Sequence, residues 1–397
     1  MMQDVDDASS DGKAANREED EFLASLSHEL RSPLSAVLAW VRILRSDRLG
    51  PAQRLRALDG IERSTRLQVG LIGDVIDLSR IKSGKLALDI ATVDLGRAAE
   101  AAVSAARPAA ETKTVELRYT PPPAPIAVRG DIARLQQVVG NLVSNAIEFT
   151  SAGGSVTVGV EGMPGEARIT VRDTGQEIPP DSLAHVFDAF RRDDTPARRR
   201  QKGLGLGLAI ARHLVELHGG AIVAESADGQ GTTFRITLPL EASASADLAP
   251  NPTDAGTASR PEAELTGVRV LIVDDDPSAR DFMSMVLTEC GATVSVAASA
   301  MEALDKLQLG TPDVLISDIA MPDADGYALI RRIRAPDTGD RGLVPAIAVT
   351  AYAGAAGRRR ALAAGYQIHL AKPFEPEELI GAVSGLARSA SPVELAG

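Results

Sequence analysis

The chain of 397 residues is poor in aromatics, which make up only 3% of it, so its cores must be built from aliphatic side chains. It has one cysteine, Cys290, which excludes an internal disulfide and a cysteine-built zinc site. No run of about 18 apolar residues occurs, which excludes a membrane-spanning helix and predicts no membrane insertion. Basic residues are outnumbered, 42 against 54, for a net charge of −12. That balance argues against a nucleic-acid partner, which needs a broad basic surface. The first residues are acidic and polar, unlike a secretory signal, and the expected location is cytoplasmic.

What is present is enough for several domains. Hydrophobic residues are 44% and charged residues 24%, ordinary for core-forming protein. Residues 1–21 carry eight acids and two bases, and 1–16 are expected to be a disordered acidic lead-in. Residues 242–264 hold seven Ala, three Ser and three Pro and read as a flexible linker. Between these, residues 17–86 have almost no strand signal. Phe22, Leu26, Leu30, Leu34, Val37, Val41 and Leu44 recur at helical spacing. Leu49-Gly50-Pro51 breaks that helix, and Leu55, Leu58, Ile61, Leu71, Val75 and Leu78 mark a second, ending near Ser83-Gly84. One such hairpin leaves its apolar stripes half exposed. Two hairpins close a four-helix bundle, so a homodimer is expected, the alternative cover being the neighbouring domain.

Residues 87–241 mix strands (Ser155–Val160, Ala167–Asp173, Gly220–Ser226, Thr232–Leu238) with helices (Gly96–Ala106, Ile132–Phe149, Leu206–Leu217). This is an α+β pattern with helices on one face of a sheet. Residues 265–388 alternate strictly, with strands at Val268–Asp274, Thr293–Ala297, Val314–Asp318, Ala346–Thr350 and Gln367–Leu370. Five βα units predict an α/β, doubly wound, five-stranded parallel sheet, followed by a tail at 389–397.

In a parallel sheet the carboxyl ends of the strands share one edge. Asp274, Asp275 and Asp276 follow the first strand and Asp318 ends the third, so these acids converge and call for a hard cation such as Mg²⁺. Thr350 and Lys372 reach the same edge, which suits a phosphoryl group. LIVDDD, LISDIAMPDADG, AIAVTA and LAKPF together resemble the receiver domain of response regulators over about 120 residues. The resemblance implies that Asp318 is the phosphoacceptor, that Asp274 and Asp275 bind Mg²⁺ with it, and that Thr350 and Lys372 hold the phosphoryl group. His369 stands where the family often has Tyr or Phe, which bears on the switching mechanism.

Lys202 precedes a glycine-rich run into a helix, whose backbone N–H groups and N-terminus can approach phosphate. Polar residues come before it rather than a strand, against a dinucleotide fold. Asn141 and Asn145 are four apart on one helix face, Asp131 is placed to cap that helix, and Asp173-Thr-Gly ends a strand. In order, NLVSNAIEFT, DTGQEI, VFDAF and GLGLGLAI resemble the ATP-binding domain of histidine kinases, a GHKL-type sandwich. The resemblance implies that Asn145 binds Mg²⁺, Asn141 assists, Asp173 with Gly175 reads adenine, and Lys202, Gly203, Gly205 and Gly207 flank the phosphates. Glu148 and Glu177 depart from that pattern. Each puts a carboxylate near a polyanion, a repulsion of ~1 kcal/mol at ~4 Å in water.

His28 lies off the 22, 26, 30 stripe. Glu29 beside it can take a proton, and Pro33 cannot donate to the Glu29 carbonyl, which predicts a bend. The segment from Phe22 to Leu34 resembles the H box of histidine kinases. It implies phosphorylation of His28, with Ser32 placed for the reverse, phosphatase reaction. The whole resembles a hybrid sensor histidine kinase: ATP phosphorylates His28, and Asp318 takes the phosphoryl group. The linker of 23 residues has a reach of roughly 25 Å. A separate histidine phosphotransfer protein or response regulator is the expected further partner. Two alternatives stay open: a catalytically weak dimeric scaffold whose receiver another kinase feeds, and a net phosphatase. The input signal is not legible, and the residues ahead of the hairpin are too few to fold as a sensor.

Overall fold

The computed structural model describes residues 26–45, 49–189, 205–227, 229–241, 265–322, 324–350 and 355–390. The expected lead-in, the linker, Phe22, Lys202 and Gly203 lie outside them. The chain forms two compact units, Met1–Ala249 and Pro250–Gly397.

The first unit opens with the hairpin. Helix α1 spans residues 26–44 and continues through Pro33. Helix α2 spans Pro51–Lys82, with Gly50 at its N-cap and Pro51 in its first turn, where the missing N–H costs nothing. The Gln53 side chain accepts from the Gly50 N–H at 3.1 Å. Trp40 of α1 stands over Gly60 of α2, where a Cβ would lie 2.5 Å from the indole nitrogen. Only glycine lets the two helices meet there, and the contact sets their register. Several stripe residues, Leu34, Leu55 and Leu58 among them, remain exposed in the single chain.

Behind the hairpin, β1 (Ala91–Asp94) pairs antiparallel with β3 (Ala127–Gly130). A five-stranded sheet has the order β2-β4-β5-β7-β6, from β2 (Glu116–Thr120), β4 (Ser155–Met163), β5 (Glu166–Asp173), β6 (Ala221–Ala227) and β7 (Gly231–Pro239). The β2–β4 pair is parallel and the others are antiparallel. Alternate residues of β4, β5 and β7 point inward, the expected period of two. They meet α3 (Leu95–Lys113), α4 (Ile132–Phe149) and α6 (Gly207–Leu217), with the short α5 (Pro180–Leu183) between the last two in the chain, as the α+β pattern requires. Strands β1, β2 and β3 were not among the expected elements, and α3 runs past the expected end, through Pro108.

The second unit is the five-stranded parallel sheet, in the order β12-β11-β10-β8-β9. Its strands are β8 (Arg269–Val273), β9 (Thr293–Ala297), β10 (Val314–Asp318), β11 (Ala346–Thr350) and β12 (Ile368–Ala371). The central strand β10 and its neighbour β11 are buried at every position. Such strands are covered on both faces, here by α7 (Pro277–Glu289) and α11 (Pro376–Ala390) on one and α8 (Ala300–Leu309), α9 (Gly326–Ile333) and α10 (Ala355–Ala364) on the other.

One charge in the hairpin carries a stability consequence. Burial, reinforced by the neighbouring Asp77 charge, pushes the Asp74 carboxyl from 3.8 up to about 6. Between about pH 4 and pH 6 the native chain therefore holds a proton that the unfolded chain has released. Stability falls as pH rises through that window, by about 2 kcal/mol. Denaturant unfolding at pH 5 and pH 7 checks this, and Asp74→Asn is expected to flatten the dependence.

Candidate functional site

Three groups of residues expected to do chemistry are placed by different local devices. His28 sits on α1 with its side chain exposed, as its position off the apolar stripe requires, and Glu29 follows it half-buried.

The cleft expected to take nucleotide is framed by α4 and α6, which Asn141 links at Gly207. Asp131 caps α4, accepting from the N–H groups of Ala133 at 3.1 Å and Arg134 at 3.3 Å. Its other carboxylate oxygen accepts from the Asp89 N–H. Its own N–H donates to Nε2 of buried His218, whose Nδ1 donates to the Leu214 carbonyl. This residue, the first of the His218-Gly219-Gly220 motif, ties the end of α6 to the start of α4. Leu135, Val139, Leu142 and Ala146 bury one face of α4, and Asn141 and Asn145 lie half-buried on the other. The Asn141 amide donates to the Gly207 carbonyl at 3.0 Å, which links the asparagine helix to the first residue of α6. Gly205 has φ of 66°, in the left-handed region.

Across the cleft, Asp173 at the end of β5 is 2% exposed. Its carboxylate accepts from the Gly175 N–H at 2.8 Å. Burial raises its pKa, and bonds from the Gly175 and Thr232 backbone oppose the rise. Gly175 packs on the end of α4, where a Cβ would lie 2.5 Å from the Phe149 carbonyl oxygen. The two departing carboxylates are differently placed. The Glu177 carboxylate accepts from the Gly229 N–H in the β6–β7 turn. The Glu148 side chain is exposed at the end of α4, and Lys113 caps that end through the carbonyls of Ile147 and Glu148.

In the second unit, β8 and β10 are neighbours whose onward connections run to opposite sides, so the crevice beyond their ends is the topological switch point. Asp274 follows β8, buried, and Asp318 ends β10, 7% exposed. With exposed Asp275 they offer three carboxylate oxygens within 4.8 Å of one another. Lys372 reaches in after β12, its Nζ 2.7 Å from both Asp274 and Asp318. Burial pulls the Lys372 ammonium down, but its bonds to the two acids outweigh this and leave it raised. Burial raises the Asp274 carboxyl, against bonds from Lys372 and the Asp276 N–H. Three carboxylates and one ammonium leave a net charge of −2, and an all-oxygen donor set suits a hard divalent cation. Thr350 is buried at the end of β11. Asp276, the third acid of the run, caps α7 instead, accepting from the Ser278 N–H. Burial, and then the Arg358 charge, lower the pKa of His369, and its Nε2 is buried with no hydrogen-bond partner among the described residues.

Three family models match the chain. The His Kinase A (phospho-acceptor) domain covers residues 18–84, the histidine kinase-, DNA gyrase B- and HSP90-like ATPase covers 130–242, and the response regulator receiver domain covers 270–384. This set, in this order, defines a hybrid sensor histidine kinase, and the chain belongs to that family. It is 32% identical over 394 residues to the circadian input-output histidine kinase CikA of Synechococcus elongatus, covering 97% of this chain and 50% of that one. It is 30% identical over 359 residues to the sensor protein EvgS of Escherichia coli, covering 89% and 29%. The chain thus spans about half or less of the length of these relatives. Among solved structures, full-length ShkA in complex with AMPPNP shares 28% identity over 95% of this chain and 73% of that one, with a TM-score of 0.43. Among the described residues, no helix is long and apolar enough to cross a membrane.

The tight seat of Gly175 gives a local test. Gly175→Ala forces the α4 terminus and the Asp173 turn apart, because backbone cannot yield as a side chain can. A loss of about 1–3 kcal/mol in stability is expected, with AMPPNP affinity at least about fivefold weaker, read by calorimetry.

Proposed function

We propose that the chain is a homodimeric hybrid histidine kinase that phosphorylates His28 from ATP and passes the phosphoryl group to Asp318. The observation that carries the reading is the junction of Asp274, Asp275, Asp318 and Lys372 at the sheet's switch point, because phosphoryl oxygens need fixed positive charge there. The working domains are residues 17–86, 87–241 and 265–388. The exposed apolar residues of α1 and α2 form the seam of a four-helix bundle with a second copy.

In the first step an imidazole nitrogen of His28 attacks the γ-phosphorus. The bond to the β–γ bridging oxygen breaks, ADP leaves, and Glu29 takes the ring proton. Asn141 holds the glycine-loop helix, Asn145 would offer its amide oxygen to a metal ion on the nucleotide, and Asp173 would accept from the adenine amino group. Gly203, Gly205 and Gly207 admit the phosphates to backbone N–H groups, with Lys202 beside them. In the second step a carboxylate oxygen of Asp318 attacks phospho-His28. The N–P bond breaks, an acyl phosphate forms, and His28 is regenerated. Lys372 and Thr350 bind the phosphoryl oxygens. Mg²⁺, held by Asp274, Asp275 and Asp318, would neutralise charge on those oxygens. Against the weak-scaffold reading, the Glu177 carboxylate is engaged by the Gly229 N–H in the β6–β7 turn. A separate histidine phosphotransfer protein or response regulator is the onward partner.

Labelling with γ-phosphate-labelled ATP and Mg²⁺ tests this. Acid-labile label is expected in Asp318→Ala and none in His28→Ala. The intact chain should add alkali-labile label at Asp318. Folded protein that takes up no label in any form would overturn the kinase reading.

A further inference from the structure

A polar junction outside both phosphoryl sites joins the hairpin to the nucleotide-binding domain. Asp77 of α2 is 6% exposed and lies within ion-pair distance of Arg134. Its Oδ2 accepts from Arg134 Nη1 at 2.7 Å and from Gln137 Nε2 at 2.8 Å. The same Arg134 nitrogen donates to Gln137 Oε1 at 2.7 Å, so the three side chains close a ring of hydrogen bonds. An ion pair this deeply placed is costly to break, because removal of one partner strands the other away from water.

The location gives the junction its meaning. Arg134, Gln137, Asn141 and Asn145 follow one another at steps of three, four and four, so they share one face of α4. The half of that face nearer the helix start grips α2, and the other half borders the nucleotide cleft. Helix α6, which Asn141 binds at Gly207, also touches α2. The hairpin therefore contacts both helices that frame the cleft. Trp40 against Gly60 sets the register of the two antiparallel helices, so His28 lies level with about residue 72 of α2. Buried Leu71 is at that height, and Asp77 is about 7.5 Å further along the axis.

We propose that Asp77, Arg134 and Gln137 are positioning residues that dock the nucleotide-binding domain on α2 at the height of His28. The inference rests on the kinase reading. Docking raises the effective concentration of nucleotide at the phosphoacceptor helix and leaves nucleotide affinity to the far half of α4.

Steady-state labelling of His28 in the full chain separates these quantities. In Asp77→Asn and Arg134→Met, kcat is expected to fall about tenfold or more, while the Kd for AMPPNP stays within about twofold. The exchanged pair, Asp77→Arg with Arg134→Asp, is expected to recover part of the loss, which shows that the two residues act together, while the fall in kcat at constant Kd is what a merely structural role would not give. Unchanged or raised kcat in the single variants overturns the proposal, as does a loss that tracks nucleotide affinity. A second measurement does not need a working kinase. Spin labels at Thr65→Cys and Glu161→Cys, in a Cys290→Ser background diluted with unlabelled chain, report the distance between α2 and the sheet. A narrow distribution that broadens in Asp77→Asn supports docking. The same distribution in both overturns it, whether or not the intact chain labels His28.

Discussion

Helix α4 carries the constraint on which the first unit depends. It must bury one face completely and keep the other polar along its whole length. Leu135, Val139, Leu142 and Ala146 fill the core against the sheet. The opposite face holds Arg134, Gln137, Asn141 and Asn145, none of which is fully buried. A helix rises only 1.5 Å per residue, so these four polar groups stand within about 17 Å. Contact with the hairpin and the proposed contact with nucleotide therefore share one rigid rod. The Asp131 cap and the His218 ring hold the start of that rod, and Lys113 holds its end.

The second unit solves a different electrostatic problem. Its carboxylates are brought together by topology, since the ends of β8 and β10 are adjacent wherever the strand order reverses. Repulsion among Asp274, Asp275 and Asp318 is offset by a single ammonium that reaches both buried acids at equal distance. Lys372 is raised by these acids even though burial works against its charge. A site of this kind is poised to exchange one set of charge partners for another, which is what phosphoryl transfer requires.

Much of this was legible in the linear pattern. The period of α4, the capping role of Asp131 and the five alternating βα units follow from local spacing, and the carboxylate cluster follows from one rule of sheet topology. Strands β1, β2 and β3 were not legible. Two of them have four residues, and β2 has none that is fully buried, so neither length nor hydrophobic alternation marks them. Helix α3 outruns its expected end because packing on α4 outweighs the cost of Pro108.

By itself the sequence determined what depends on neighbours a few residues apart: helix faces, caps, turn glycines, and the order of three motif-bearing segments. The tertiary structure decided the pairings across long separations. Asp77 meets Arg134 across 57 residues, Glu177 meets Gly229 across 52, and Asp131 meets His218 across 87. No local period announces such pairs. The Asp77 and Asp131 pairs form because packing of the aliphatic core draws polar groups partly away from water, where an unpaired donor or charge is costly, whereas the Glu177 pair closes in the open at a turn.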